Sequence, residues 1–474
     1  MTAQQNFSKK HRYAIVGAGS RSQLYQNAIQ REYRDSAELV ALCDSNPQRL
    51  AVALARTPAG LAPVPRAFKA AEFDDMIRTT KPDTVIVTPP DYMHRACIVR
   101  SMELGCDVIT EKPMTTTAED CRAILETQKR TGRHCRVTFN YRYSPPRSQV
   151  KELLMSGEIG DVLSVDFHWL LNTHHGADYF RRWHSHKRNS GGLMVHKATH
   201  HFDLVNWWLG ALPVSVMAAG KRDFYTASTA RRFGLTGAHE RCHTCPEMAK
   251  CAFALDLSAT KAHREMYLEA EKYDGYFRDR CIFRDDIDIE DTMSVTVRYD
   301  TGALLTYSLN AFNAWEGYII AFNGAKGRIE HTIMEQSYVS GDGNVQGGTR
   351  EGGATTRVIP LRGTPRDLTP WNGEGDHGGG DHAMLIDILS PNPPADKYLR
   401  AADIRAGAAS IMVGISANRS FETRAEVKIT DLLPAGLERP DYALMPDSST
   451  PLEMPQKIEH DGIVSLKEKP GSNT

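Results

Sequence analysis

Apolar and polar positions in the first third of the chain fall into short segments that alternate in kind. Tyr13-Ala-Ile-Val16 is an unbroken apolar run, and Leu24, Ala28 and Ile29 follow at helical spacing. Ala37-Glu-Leu-Val-Ala-Leu-Cys43 is a second run that ends on Asp44. Thr84-Val-Ile-Val-Thr88, a helical Tyr92–Leu104 and Cys106-Asp-Val-Ile-Thr110 continue the series. Strands of a parallel sheet are covered on both faces, so they read as continuous apolar runs separated by helices. Beyond residue 150 the period changes. Residues 160–170, 291–310 and 317–329 alternate apolar with polar, which predicts half-buried strands. A long helix is predicted over Ala401–Ser420 and a last strand over Ala425–Ile429.

The turn after the first strand sharpens this pattern. Gly17-Ala-Gly19-Ser20-Arg21-Ser22 lies between strand and helix, and the second strand ends in an acid, Asp44. This order is the context a dinucleotide fingerprint requires. Gly17 permits a tight turn, Gly19 lets the backbone approach a pyrophosphate, and Ser22 stands where the third glycine would be. Asp44 can accept hydrogen bonds from the adenosine ribose, which favours NAD over NADP, although Arg49 stands close by. Thr88 and Pro89 end the next strand over the same crevice. The reading is an α/β fold that opens with a doubly wound parallel sheet.

At 474 residues the chain has room for two domains. Basic residues number 57 and acidic residues 58, with no basic block, which argues against nucleic acid or an anionic membrane as the main partner. No apolar stretch approaches the roughly 18 residues of a membrane span. The polar first dozen residues show no signal-peptide pattern, so a cytoplasmic enzyme is expected. Five cysteines are scattered through the first third. The other four, Cys242, Cys245, Cys251 and Cys281, share a charged, weakly patterned segment of about 222–288. C-x2-C-x5-C with a fourth sulfur suits a structural zinc, which would supply folding free energy to a piece with little core; unligated thiols and an iron–sulfur cluster are the alternatives.

Residues 194–203 read M-V-H-K-A-T-H-H-F-D. On one helix His196, His200, Asp203 and Trp207 fall in a stripe about 60° wide, suited to a metal or to a base with its orienting partner. No glutamate follows His196 as in H-E-x-x-H, and Lys197 would repel a cation, so metal is disfavoured here. Eight of the chain's 18 histidines lie between His168 and His201, a bias that suggests a polar pocket lining. Between them, Tyr179, Arg181, Arg182 and Trp183 suit a sugar face or a carboxylated polyol.

Three motifs together carry a family resemblance. Thr88-Pro-Pro-x-x-x-His94, the run Gly105 to Pro113 with its Glu111-Lys112-Pro113, and the glycine-led histidine segment resemble those of the Gfo/Idh/MocA oxidoreductases across nearly the whole chain. The resemblance implies a Rossmann domain (1–138), then an α/β domain with a large, mostly antiparallel open sheet (139–432). Residues 433–474 are expected to form an arm or tail. It implies NAD(P)-dependent oxidation of a secondary hydroxyl of a sugar, glycoside or cyclitol, by a homodimer or homotetramer. Lys112 and His200 would be catalytic. His94, Glu111 and Lys112 would join Gly17, Gly19, Ser20, Arg21, Asp44, Thr88 and Pro89 around the cofactor. Tyr141, Arg142, Tyr179, Arg182, His196, Asp203 and His377 are candidate substrate contacts, with Asp381 either a sugar contact or a helix N-cap. The family carries an aspartate where this chain has His196. The alternative activity within the resemblance is glycoside hydrolysis or lysis by transient C3 oxidation, elimination, hydration and re-reduction.

Overall fold

The computed structural model describes residues 9–335, 349–373, 377–443 and 445. Six parallel strands form the first sheet: β1 His11–Val16, β2 Ala37–Asp44, β3 Arg66–Lys69, β4 Thr84–Val87, β5 Asp107–Thr110 and β6 Cys135–Val137. Their order is β3-β2-β1-β4-β5-β6. β4 is buried along its whole length, and so are the last four residues of β1. The direction of winding reverses between β1 and β4, which opens a crevice at their carboxyl ends. The Gly17 turn and the Thr88-Pro89 turn both empty into it.

The second sheet comprises β7 Val162–Asn172, β8 Pro213–Lys221, β9 Thr292–Tyr299, β10 Leu304–Asn313, β11 Glu316–Gly324, β12 Gly327–Glu335, β13 Thr349–Pro360, β14 Arg366–Leu368 and β15 Val427–Lys428. Its order is β14-β13-β12-β11-β7-β10-β9-β8-β15, antiparallel except where β7 meets β10. Two of the alternating stretches are hairpins rather than single strands. Asp300-Thr-Gly302 turns β9 into β10, and Gly324-Ala-Lys326 turns β11 into β12. Alternation carries across a tight hairpin without a break, which is why each pair reads as one element.

Alternate residues of β7 to β12 bury Phe167, Trp169, Tyr307 and Tyr318 against the helix Thr199–Leu209, which contributes Phe202, Trp207 and Trp208. The opposite face is partly bare, with Leu304 39% and Ile319 45% exposed. The late helix runs over Ile404–Thr423 and joins both cores: Ile404, Ala408 and Ile411 pack beneath the parallel sheet, Met412, Val413 and Ala417 against the large one. A Cβ on Gly414 would lie 2.3 Å from the Met194 carbonyl, so only glycine lets this helix pass so close to the histidine segment.

That segment is two helices, Gly192–His196 and Thr199–Leu209, and not the single helix expected. The amides of Lys197 and Ala198 both bond the Leu193 carbonyl, which closes the first helix and re-aims the second. The stripe of four residues is broken as a result: His196 and His200 face the cleft, while Asp203 and Trp207 enter the core. Of the expected tail, Leu433 and Ala443 are buried and Tyr442 lies over Arg142.

Candidate active site

One continuous cleft of about 1340 Å³ runs from the carboxyl ends of β1 and β4 to the histidine segment. Gly17, Gly19, Ser20, Arg21, Asp44, Thr88, Pro89, His94, Glu111 and Lys112 all line it. Gly17 has φ +90°, and a Cβ there would collide with the Thr88–Pro89 backbone at 2.5 to 2.8 Å. At Gly19 a Cβ would meet nothing, because that residue faces the open cleft. Asp44 is fixed by the amides of Ala18 and Asn46, each at 2.7 Å, leaving acceptor capacity for ribose hydroxyls. These residues fit a dinucleotide, whose nicotinamide supplies hydride transfer when bound.

Arg21 is less free than its sequence position implied. Its Nε donates to Glu111 at 2.6 Å and its terminal nitrogens to Asp381 at 3.3 Å. Tyr25 also donates to Glu111, and Asn140 to Asp381, both at 2.6 Å. Asp381 is therefore saturated by protein groups, with its carboxyl held far below the usual range by Arg21 and His377 against burial. Gly379, not Asp381, caps the following helix, and Asp381 sits inside its first turn. His377 lines the cleft as expected, braced by Asp381 at 2.9 Å; Gly375 and Asp376 lie outside the described residues. His94 bonds the carbonyls of Pro89 and Pro113, tying together the loops that flank Lys112.

Lys112 reaches across from β5 and donates to the His196 carbonyl at 3.2 Å. Burial brings its pKa down to about 8, with Asp91 pulling up and Lys197 pushing down. His200 is buried, and its ring stacks on Tyr141 with centroids 4.3 Å apart. Burial, reinforced by Lys112 and Lys197, keeps its pKa well below the ordinary histidine value, so it is an uncharged acceptor at neutral pH. His200 Nδ1 is buried and has no hydrogen-bond partner among the described residues.

His196 sits beside these two, and its Nδ1 lies 2.5 Å from Asp91. Burial pushes Asp91 up and His196 down, both toward their uncharged forms. Lys197, also at the cleft, lies 4.0 Å from Glu316, which in turn holds His175 at 2.6 Å, and Tyr179 meets His175 at 2.8 Å. Burial raises Glu316 to about 7. Asp91 and Glu316 carry no role in the sequence reading, and Lys197 enters it only as an argument against a metal. Asp91 lies within the quoted Thr88–His94 motif and was legible there; Glu316 opens a strand and carried no signal.

Tyr179, Arg182, His196, His200 and His377 reach the cleft, but Arg142 and Asp203 do not. Arg142 and Asp203 form a bidentate pair at 2.7 and 2.6 Å, each side chain 1% exposed, behind the wall that carries Tyr141. The charge of each is answered by the other, so neither is available to a substrate. Tyr141 backs His200 and does not face the cleft. The histidine cluster divides in the same way. His175, His184, His196 and His200 line the cleft; His201 stacks on Trp169 in the core, and His168 is on the outer sheet face.

Cys242, Cys245, Cys251 and Cys281 all border one separate cavity of about 30 Å³. Burial raises the thiols of Cys242 and Cys251. Among the described residues no three His, Cys, Asp or Glu side chains are set to hold a metal ion, so the expected four-sulfur site is not formed as such. Arg241 pairs within the segment with Glu271 and Asp279, and Arg278 ties the segment to Asp178 of the helix Thr173–Arg181 at 2.6 Å.

Fold and cleft together define a nicotinamide-dependent oxidoreductase. The description "Oxidoreductase family, NAD-binding Rossmann fold" matches residues 11–139, and "Oxidoreductase family, C-terminal alpha/beta domain" matches residues 151–429. The chain belongs to this Gfo/Idh/MocA oxidoreductase family. It is 38% identical to the Bacillus subtilis protein YteT over 433 residues, covering 88% of this chain and 97% of that one. The D-glucoside 3-dehydrogenase of Escherichia coli is 27% identical over 230 residues, 47% of this chain and 61% of the relative. The inositol 2-dehydrogenase of Corynebacterium glutamicum strain R is 28% identical over 44% of this chain, so the chain spans only about 57% of that relative's length. Among solved structures, the Bordetella pertussis WlbA dehydrogenase in complex with NADH and UDP-GlcNAcA shares the fold (TM-score 0.59, 19% identity, 89% of this chain, 99% of that one). The aldose-aldose oxidoreductase of Caulobacter crescentus does so too (TM-score 0.57, 18% identity, 89% of this chain, 100% of that one).

Proposed function

We propose that the protein is an NAD-dependent dehydrogenase for a secondary hydroxyl of a sugar, glycoside or cyclitol. The observation that carries this reading is the convergence of Lys112, a half-buried cation, and His200, a buried neutral acceptor, on one cleft with the glycine turn. His200 takes the hydroxyl proton, and Lys112 stabilises the alkoxide as it develops. A dinucleotide held by the Gly17–Gly19 turn and Asp44 would supply the hydride acceptor. Tyr179 and Arg182 provide an aromatic edge and a guanidinium for the rest of the substrate, and His377 closes the far side. Incubating the enzyme and NAD with polyols, sugars and glycosides should give NADH with at least one of them; a panel without turnover, alongside intact NAD binding, overturns the reading.

A second reading draws on the His196–Asp91 pair, a second acid–base centre beside the first. Two such centres suit elimination and hydration at a transiently oxidised glycoside. Release of aglycone without net NADH would favour it. We further infer a cytoplasmic protein, in keeping with nine free cysteines, and self-association through the half-bare face bearing Leu304 and Ile319. Zinc drawing the four clustered sulfurs together remains our reading of the insert, tested below.

A further inference from the structure

The segment that carries the four cysteines also reaches the cofactor end of the cleft. Tyr267, Asp274, Gly275 and Tyr276 line the cleft together with Asp44 and Ser45. The segment is seated on the helix Pro47–Ala55 that follows β2. Asn46 donates from Nδ2 to the Ala270 carbonyl at 3.0 Å and to Asp274 at 2.8 Å, and Gln48 to Glu269 at 3.2 Å. Val52 of the same helix packs into a small core of Leu257, Met266 and Tyr267. The adenosine side of the cleft is thus walled by residues more than 220 positions beyond β2.

Arg49 is the residue on which the cofactor choice turns. An arginine just past the second strand is what accommodates the 2′-phosphate of NADP, and Arg49 lines the cleft five residues after Asp44. Here its Nη1 donates to Asp274 Oδ2 at 2.6 Å, with the two side chains only 14% and 21% exposed. Its guanidinium lies 5.8 Å from the Tyr276 ring centroid. The cation is neutralised within the protein, and a second carboxylate stands beside Asp44. A 2′-phosphate, carrying between one and two negative charges, would meet two carboxylates and, among the described residues beside Asp44, an arginine already paired. A ribose hydroxyl would meet the acceptor of Asp44, since Asp274 is engaged by Asn46, Arg49 and the Tyr276 amide.

We propose that Asp274, supplied by the cysteine-bearing insert, determines cofactor specificity by sequestering Arg49 and excluding the 2′-phosphate. This deepens the NAD reading and rests on it. The test is direct binding of NADH and NADPH by isothermal titration to the wild-type protein, Asp274→Ala, Asp274→Asn and Asp274→Ala/Arg49→Ala, with thermal unfolding as the check on folding. Wild type should bind NADH the more tightly. Asp274→Ala should tighten NADPH by about tenfold while changing NADH far less, and the double variant should lose that gain because the freed arginine is gone. Asp274→Asn keeps an acceptor for Asn46 and removes the charge, so it should move NADPH in the same direction even if the alanine variant is poorly folded. A wild-type protein that prefers NADPH overturns the NAD reading itself. A wild-type preference for NADH whose ratio neither single variant alters overturns the role of Asp274 alone.

Discussion

His196 Nδ1 lies 2.5 Å from the carboxylate of Asp91, and the two residues come from opposite sides of the cleft. His196, which stands where the motif this segment resembles has an aspartate, is paired with a carboxylate that the loop after β4 supplies. Asp91 orients the His196 ring beside Lys112, and burial pushes both members of the pair toward their uncharged forms. Asp91→Asn should lower kcat/KM by about 10- to 100-fold, the range of a positioned acid–base group. The NADH dissociation constant should stay within a few-fold of wild type. Unchanged turnover would reduce the pair to packing.

The Lys112–His200 arrangement fixes the pH profile. His200 is held neutral well below its ordinary value, so its protonation should give no limb between pH 6 and 8. Lys112 is a cation below about 8 and uncharged above it. If the cation stabilises the alkoxide, kcat/KM for alcohol oxidation falls as pH rises through about 8. Lys112→Arg should remove that falling limb, because guanidinium stays charged. A limb that rises through the same pH would make Lys112 the base instead.

Removing either catalytic side chain gives a coarser test. Lys112→Ala and His200→Ala should each lower kcat by about 100-fold or more, read by steady-state kinetics on whichever polyol the wild type oxidises. Near-normal turnover in both would remove the proposed chemistry.

Arg142 is predicted to act through stability. Replacing it with alanine strands Asp203 as an unpaired charge in the core, at a cost of about 3–5 kcal/mol. Denaturant unfolding should show that loss, and Asp203→Ala should show a comparable one. A folded Arg142→Ala protein that has lost only substrate affinity would return Arg142 to the binding site.

The cysteine cavity is open to metal analysis. Protein purified without chelator should contain about one zinc per chain if the four sulfurs close on an ion. Cys245→Ser and Cys251→Ser should then lose the metal and loosen the segment that carries Asp274. Less than about half a zinc per chain would leave the four as buried thiols.

Local chemistry made much of the site readable before any tertiary structure. Gly17 stands where only glycine passes Thr88–Pro89, and Asp44 ends a strand. Lys112 ends another, locked between a buried acid and a proline. Gly17 and Asp44 are placed by residues within a few positions, so the order strand, glycine turn, helix, strand was enough for them; Lys112 was singled out through the resemblance carried by Glu111-Lys112-Pro113. His196, His200, Arg142 and Asp203 show where such reading stops. On a straight helix the first, second and fourth of these share a face, but two amides competing for the Leu193 carbonyl break that helix at Lys197-Ala198. The break turns Asp203 into the core and onto Arg142.

The sequence by itself determined the two sheet types and the dinucleotide turn, because these depend on periodicity and on short-range spacing. Tertiary structure alone decided which charges remain available to a ligand. Arg142, Arg21 and Arg49 are three arginines that sequence leaves equally free, and each is bound by a carboxylate 61 to 360 positions away. The physical reason is that a buried cation must find its counter-charge wherever the fold brings one, and no local pattern records that distance.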